Sequence, residues 1–252
     1  MKKEMLLVIV SFFLMSLTAI TGVYAIEETT KTITISNENA DITGDGKEEE
    51  IILKGVPYQK EDAFLEKIYI EISASNGKKY TLPLESGAKA ALELVDLNND
   101  GVKDLFASVL KGGNERIVQN YSYSIRNFEQ TKLNLPEPLE MDSHFLHGYK
   151  AEIKLAKTGK SYLFDLKDRQ KYYKKLGLYY HGKLNEPTEL TVNPFSSLQP
   201  IPVENNQVGL LGEQRITGIA NADVIASVES TWVYDHGQWK LVRTVVHKER
   251  NK

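Results

Sequence analysis

Polar and apolar residues alternate with a period of two along much of this chain. That is the spacing of a strand with one buried face. Over residues 29–36, Thr32, Thr34 and Ser36 alternate with Ile33 and Ile35. Further strands are predicted over 51–53, 68–72 and 79–84, with Asn76-Gly77 as a hairpin turn before the last. Residues 90–95, 105–110, 118–125 and 127–133 continue the pattern, interrupted by Gly112-Gly113-Asn114. Beyond Pro136 and Pro138, 150–155 and 161–166 pair across Thr158-Gly159-Lys160. One short helix is predicted near 168–176, with Asp168 as its N-cap and Gly177 near its end. Four prolines (187, 194, 200 and 202) make 185–206 irregular. The chain closes on a hairpin, 225–234 with 238–246, whose turn is Asp235-His236-Gly237 and whose flanks carry Trp232 and Trp239. The fold class that follows is all-β and mainly antiparallel.

Two acidic loops interrupt this pattern, 55 residues apart in the chain. Asp41, Thr43, Asp45 and Glu49 occupy positions 1, 3, 5 and 9 of the first. Asp96, Asn98, Asp100 and Asp104 occupy the same positions of the second. Position 6 is Gly46 or Gly101, and the position 7 carbonyls belong to Lys47 and Val102. A hard cation such as Ca²⁺ takes six to eight oxygens, and alternate residues of a tight loop can supply them. Neither loop is a helical EF-hand. No long helix precedes it, and Ile52 and Ala107 stand where a bidentate Glu would be needed. Ligand chemistry ranks the second loop above the first, because an Asn98 carbonyl is a better hard-cation ligand than a Thr43 hydroxyl.

Each loop runs straight into an apolar strand. These strand–loop–strand units resemble the FG-GAP or VCBS-type calcium-loop repeats of integrin-like propellers and bacterial surface proteins. Asp96, Asn98, Asp100, Gly101 and Asp104, followed by Leu105-Phe106, match that pattern in full. Asp41, Asp45 and Gly46 match it in the first unit, where Thr43 and Glu49 depart from it. The resemblance covers about 80 residues before Leu135. It implies Ca²⁺ as the ion and a propeller-like arrangement or tandem β-units, and it does not imply an enzyme. No third copy appears near residue 151, and 219–228 echoes the second loop without its Gly and most of its carboxylates.

Composition narrows the setting. Lys2 and Lys3 precede an apolar run over 5–17, and Val23-Tyr24-Ala25 offers small residues for cleavage. This predicts a secretory signal over 1–25, with an uncleaved anchor as the other reading. The expected organisation is therefore 1–25 signal, 26–135 with the two loops, and 136–252 β-rich. No membrane span is expected after cleavage. Residues 1–25 carry +1, so the remainder carries −4 of the chain's net −3, which gives no hint of nucleic acid. An exported chain with no cysteine must draw its stability from a core and bound ions rather than disulfides. The Lys-rich, Cys-free profile resembles exported proteins of Gram-positive bacteria.

The remaining motifs carry less. Asp142, His144 and His147 lack any zinc spacing, and no Gly-x-Ser-x-Gly or thiol nucleophile exists. Lys167, Arg169, Lys171, Lys174 and Lys175 interleave with Tyr172 and Tyr173 as a solvated helix face, or as a patch for an anionic polymer. Tyr179-Tyr180-His181 reads as core or rim, with sugar stacking as the sharper option. The expectation is a secreted, calcium-stabilised binding or structural module without catalytic residues, outside the cell or at its envelope. Its partner classes are an anionic wall polymer, a carbohydrate or another surface protein. The alternative is an extracellular hydrolase of wall polymers built around Asp142, His144 and His147.

Overall fold

The alternating segments pair with their neighbours in sequence. The structure, a computed structural model, describes residues 31–59, 62–112, 117–204 and 207–249. The signal segment expected over 1–25, and Gly113 and Asn114, lie outside the described residues.

Strands β1 (Ile33–Ala40), β2 (Glu49–Pro57), β3 (Leu65–Ser73) and β4 (Lys79–Leu84) form a four-stranded antiparallel meander in that order. Strands β5 (Lys89–Val95), β6 (Asp104–Leu110), β7 (Val118–Ser124) and β8 (Thr131–Lys132) form a second meander with the same order. Period-two burial explains both. Ile51 and Leu53 of β2, Ile68, Ile70 and Ile72 of β3, and Leu82 and Leu84 of β4 all point inward.

The second half adds three sheets. Strands β9 (Met141–Leu146), β10 (Lys150–Leu155) and β11 (Ser161–Asp165) pair in the order β11-β10-β9. A 3₁₀ turn, Lys167–Arg169, leads into helix α1 (Gln170–Lys175) and a two-residue ladder, β12 (Tyr179–Tyr180) with β13 (Lys183–Leu184). Strands β14 (Thr191–Pro202), β15 (Val208–Thr217), β16 (Val224–Asp235) and β17 (Gln238–Lys248) make the last meander. His236 and Gly237 both have positive φ between β16 and β17, the geometry of a tight two-residue hairpin. The described residues are thus all-β, antiparallel in every pairing, with one short α-helix.

Several expectations need correction. Residues 191–202 are not irregular, because β14 runs through Pro194, Pro200 and Pro202. It lies at the edge of its sheet and has register shifts between Val192, Phe195 and Ser197, where a missing N–H costs little. Asp168 does not cap α1. The N-cap is Arg169, with no side-chain capping bond. Residues 141–146, outside the predicted strands, form β9.

The described residues from Thr32 onward fold as one compact unit with two hydrophobic cores. One is filled from β1 to β7. The other is filled from Leu139 onward and receives Leu97 and Phe106 from the second meander. Strand β6 is buried on both faces because it lies between them: Leu105, Ala107 and Val109 enter the first core, and Phe106 enters the second. Each fully buried side chain of this size stabilises the fold by about 1.5–3 kcal/mol. Among the described residues no helix is long and apolar enough to cross a membrane.

Candidate functional site

The two acidic loops occupy equivalent places. Each joins the first strand of a meander to the second, and the pairing is in the same register: Ala40 opposite Glu49, and Val95 opposite Asp104. Position 9 therefore opens the second strand, and in both units its side chain is wholly buried. There it braces the loop from below. Glu49 Oε2 accepts the Ile42 N–H at 3.0 Å, and Asp104 Oδ2 accepts the Leu97 N–H at 3.0 Å.

Position 1 organises the upper turn in the same way. Asp41 Oδ2 accepts from Gly46 N at 2.8 Å, and Asp96 Oδ2 accepts from Gly101 N at 2.9 Å. Gly46 and Gly101 hold φ of 82° and 88°, a region that costs a side chain with Cβ free energy. Position 5 closes the next turn. Asp45 Oδ1 accepts from Lys47 N and Asp100 Oδ1 from Val102 N, at 2.9 and 3.0 Å. The second oxygen of position 5 is engaged by the third strand's exit. Ser75, two residues past β3, donates its hydroxyl to Asp45 Oδ2 at 2.8 Å. Arg126, two residues past β7, places Nη1 2.8 Å from Asp100 Oδ2.

The loops differ in how completely the protein satisfies them. Asp41 Oδ1 accepts from Gly44 N and Thr43 N, and Glu49 Oε1 accepts from Ser75 N. Burial pushes Asp41 up, but the N–H groups of Gly44, Gly46 and Thr43 outweigh it and hold its carboxyl below the ordinary value. The Ser75 hydroxyl, then the Lys47 N–H, hold Asp45 below it too. In the second loop Asp104 Oδ1 is buried without a hydrogen bond of ordinary geometry. Burial pushes that carboxyl up to about 6, against the Ser124 side chain and the N–H groups of Leu97 and Asn98. Position 3 bonds within its own loop: Thr43 Oγ1 lies 3.5 Å from Asp41, and the Asn98 amide bridges the backbone and carboxylate of Asp100.

These donors have the chemistry of a hard-cation site: carboxylates, an amide, a hydroxyl, and the carbonyls of Lys47 and Val102. The orphaned Asp104 oxygen points the same way for the second loop. The carboxylates are splayed onto backbone N–H groups, however, and among the described residues no three acidic or imidazole side chains converge as a metal-holding group. The loops approach each other, since a Cβ on Gly44 would lie 3.0 Å from Val102 Cγ2. The turn after β7 touches both. Asn127 donates its N–H to Thr43 O at 2.9 Å, and Asn127 and Phe128 hold positive φ. Arg126 and Ser75 were invisible in the sequence because they lie 26 or more residues from their carboxylates and belong to no loop motif.

The other candidates are dispersed. His144 lies on the outer face of its sheet, 3.5 Å from Asp142 and 3.7 Å from Glu152. His147 instead accepts the Leu184 N–H through Nδ1. None of Asp142, His144 and His147 lines the grooves of ≈ 650, ≈ 430 and ≈ 690 Å³. The basic-aromatic run is divided by the fold. Its lysines are exposed, but Arg169 and Tyr173 are buried against Asp223. Tyr179 is in the core, whereas Tyr180 and His181 are exposed.

Comparison with known proteins adds relatives without an assigned activity. Residues 139–247 match the model of the YybI C-terminal domain family. The chain is 24% identical over 221 residues to a Bacillus subtilis (strain 168) protein named Uncharacterized protein YybI, covering 84% of each. No solved structure matches the chain. Neither description names an enzymatic activity.

Proposed function

We propose that this chain is an exported, calcium-stabilised β-protein that works as a binding or structural module outside the cell or at its envelope, without catalysis. One observation carries the reading. The same nine-position acidic loop recurs at the same junction of two consecutive meanders, in the same register, with position 9 bracing position 2 in both. A solvated turn has no reason to repeat that frame. The two meanders support a finer reading as tandem β-units of the blade type found in propellers. Export rests on the charged, apolar and small residues of the first 25 positions.

Bound Ca²⁺ would neutralise the carboxylates of each loop. Asp41, Thr43, Asp45, Lys47 and Glu49 would hold it in the first loop, and Asp96, Asn98, Asp100, Val102 and Asp104 in the second, Lys47 and Val102 through their carbonyls. The partner is then an anionic wall polymer, a carbohydrate or another surface protein.

The test is a thermal melt of residues 26–252 in millimolar calcium and in chelator. An ion that binds only the folded state raises the melting temperature by mass action. Extracellular modules bind at about 10⁻⁴–10⁻³ M, so the shift is expected at millimolar calcium. Superimposable melts would overturn the calcium reading.

A further inference from the structure

The position two residues past the third strand is filled differently in the two meanders. It is Ser75 in the first and Arg126 in the second. Both side chains donate to the same atom of their loop, Oδ2 of the position 5 aspartate, at 2.8 Å. The residue before each, Ala74 or Ile125, is buried and anchors the exit of the strand. The position and the acceptor atom are thus shared and the charge is not. Loop one receives a neutral hydroxyl, and loop two receives a guanidinium.

From this we infer that Arg126 is an internal counter-ion of the second loop, competing with a divalent cation for Asp100, and that this position sets the cation affinity of each loop. The inference rests on the calcium reading of the loops and deepens it. Three features of the geometry support it. Arg126 reaches the loop from outside the nine-residue frame, so it can leave without breaking the frame's own bonds. Its side chain is half exposed, so the pair with Asp100 is a weak one, as exposed pairs are. Its charge lies beside the carboxylate that a cation must share, while Asp104 nearby keeps one buried oxygen without a partner. The Arg126 turn is also fastened to the other loop by the Asn127 N–H on Thr43 O, so both loops share one strap. Arginine opposes the ranking that ligand chemistry alone gives, and it brings the second loop to or below the first.

The experiment is isothermal titration with CaCl₂ of residues 26–252 as wild type, Arg126→Ser, Arg126→Lys and Ser75→Arg. A single positive charge beside a divalent ion at contact distances weakens binding by about three- to tenfold after screening. Arg126→Ser is therefore expected to tighten one binding event by that factor, with a smaller gain in 0.5 M NaCl. Arg126→Lys, which keeps the charge, stays near wild type. Ser75→Arg weakens the other event. Calcium binding by wild type with equal or weaker affinity in a folded Arg126→Ser overturns the counter-ion inference and leaves the calcium reading standing. Absence of binding in both overturns the two together. Binding in Arg126→Ser alone supports both. A chelator melt of each variant identifies any that fails to fold, and Arg126→Lys against Ser75→Arg then decides by the same comparison.

Discussion

The guanidinium of Arg169 donates to Asp223 across 2.6 Å with both side chains almost wholly buried, at 1% and 4% exposure. Arg169 opens α1, and Asp223 lies in the turn before β16, 54 residues away in sequence. Tyr173 donates to the same carboxylate, and Arg169 also reaches the carbonyls of Val224 and Glu249. Asp223 further accepts the Ile219 N–H. The carboxylate ties the helix to the β15–β16 turn, and the Arg169 guanidinium extends the tie to Glu249, just past β17. The segment that faintly echoed an ion loop holds an arginine instead.

Asp223→Ala is expected to destabilise the protein by about 3–5 kcal/mol, because it leaves a buried guanidinium without its counter-ion and a buried phenol without its acceptor. Chemical denaturation of the variant measures this. A loss below about 1 kcal/mol would mean the network contributes little.

Glu49 and Asp104 respond differently to neutral substitution in chelator. Both Glu49 oxygens accept N–H groups, so Glu49→Gln turns an NH₂ against a donor and costs about 1–3 kcal/mol. Asp104 uses one oxygen, and Asp104→Asn can direct its NH₂ to the side without a partner. Glu49→Gln is expected to lower the melting temperature more, by about 2–4 °C for each kcal/mol of difference. The reverse order would contradict the bracing geometry.

Alkaline pH is expected to weaken the fold through its buried tyrosines. Burial, and then Tyr149 beside it, push the Tyr179 hydroxyl up to about 12, and burial raises Tyr173 further still. The folded state keeps a proton that the unfolded chain releases above about 10, the ordinary phenol value. The contribution is full below pH 10 and is lost as pH rises through about 12. A tenfold difference in proton affinity between the folded and unfolded chain is worth about 1.4 kcal/mol, so Tyr179 accounts for up to about 2–3 kcal/mol. Tyr179→Phe is expected to flatten the fall in stability between pH 10 and 12, measured by urea melts. An unchanged slope would refute this assignment.

His144→Ala is expected to change stability by less than about 0.5 kcal/mol, as exposed substitutions do. Among the described residues the charged groups near its ring are the exposed carboxylate Asp142 and the half-buried Glu152. In any activity assay on a wall polymer the variant is expected to match the parent. A large loss of activity with an unchanged melt would favour the hydrolase alternative.

Sequence alone determined whatever depends on local periodicity and turn chemistry. Alternation located Lys79–Leu84 and Lys150–Leu155 to the residue, because one buried face imposes a period of two. The two acidic loops were legible because Asp, Asn and Gly at fixed offsets satisfy their own backbone, and both fold as a shared frame. Tertiary structure decided what depends on which elements meet. Strand β14 carries three prolines and reads as a breaker until an edge position removes the need for its N–H groups. Arg169 reads as one charge among lysines until Asp223 draws it into the core, and Arg126 has no motif until β7 delivers it to Asp100. Charge pairing acts through space over a few ångströms, and the separations of 26 and 54 residues behind these pairs are set by sheet topology, which no local pattern encodes.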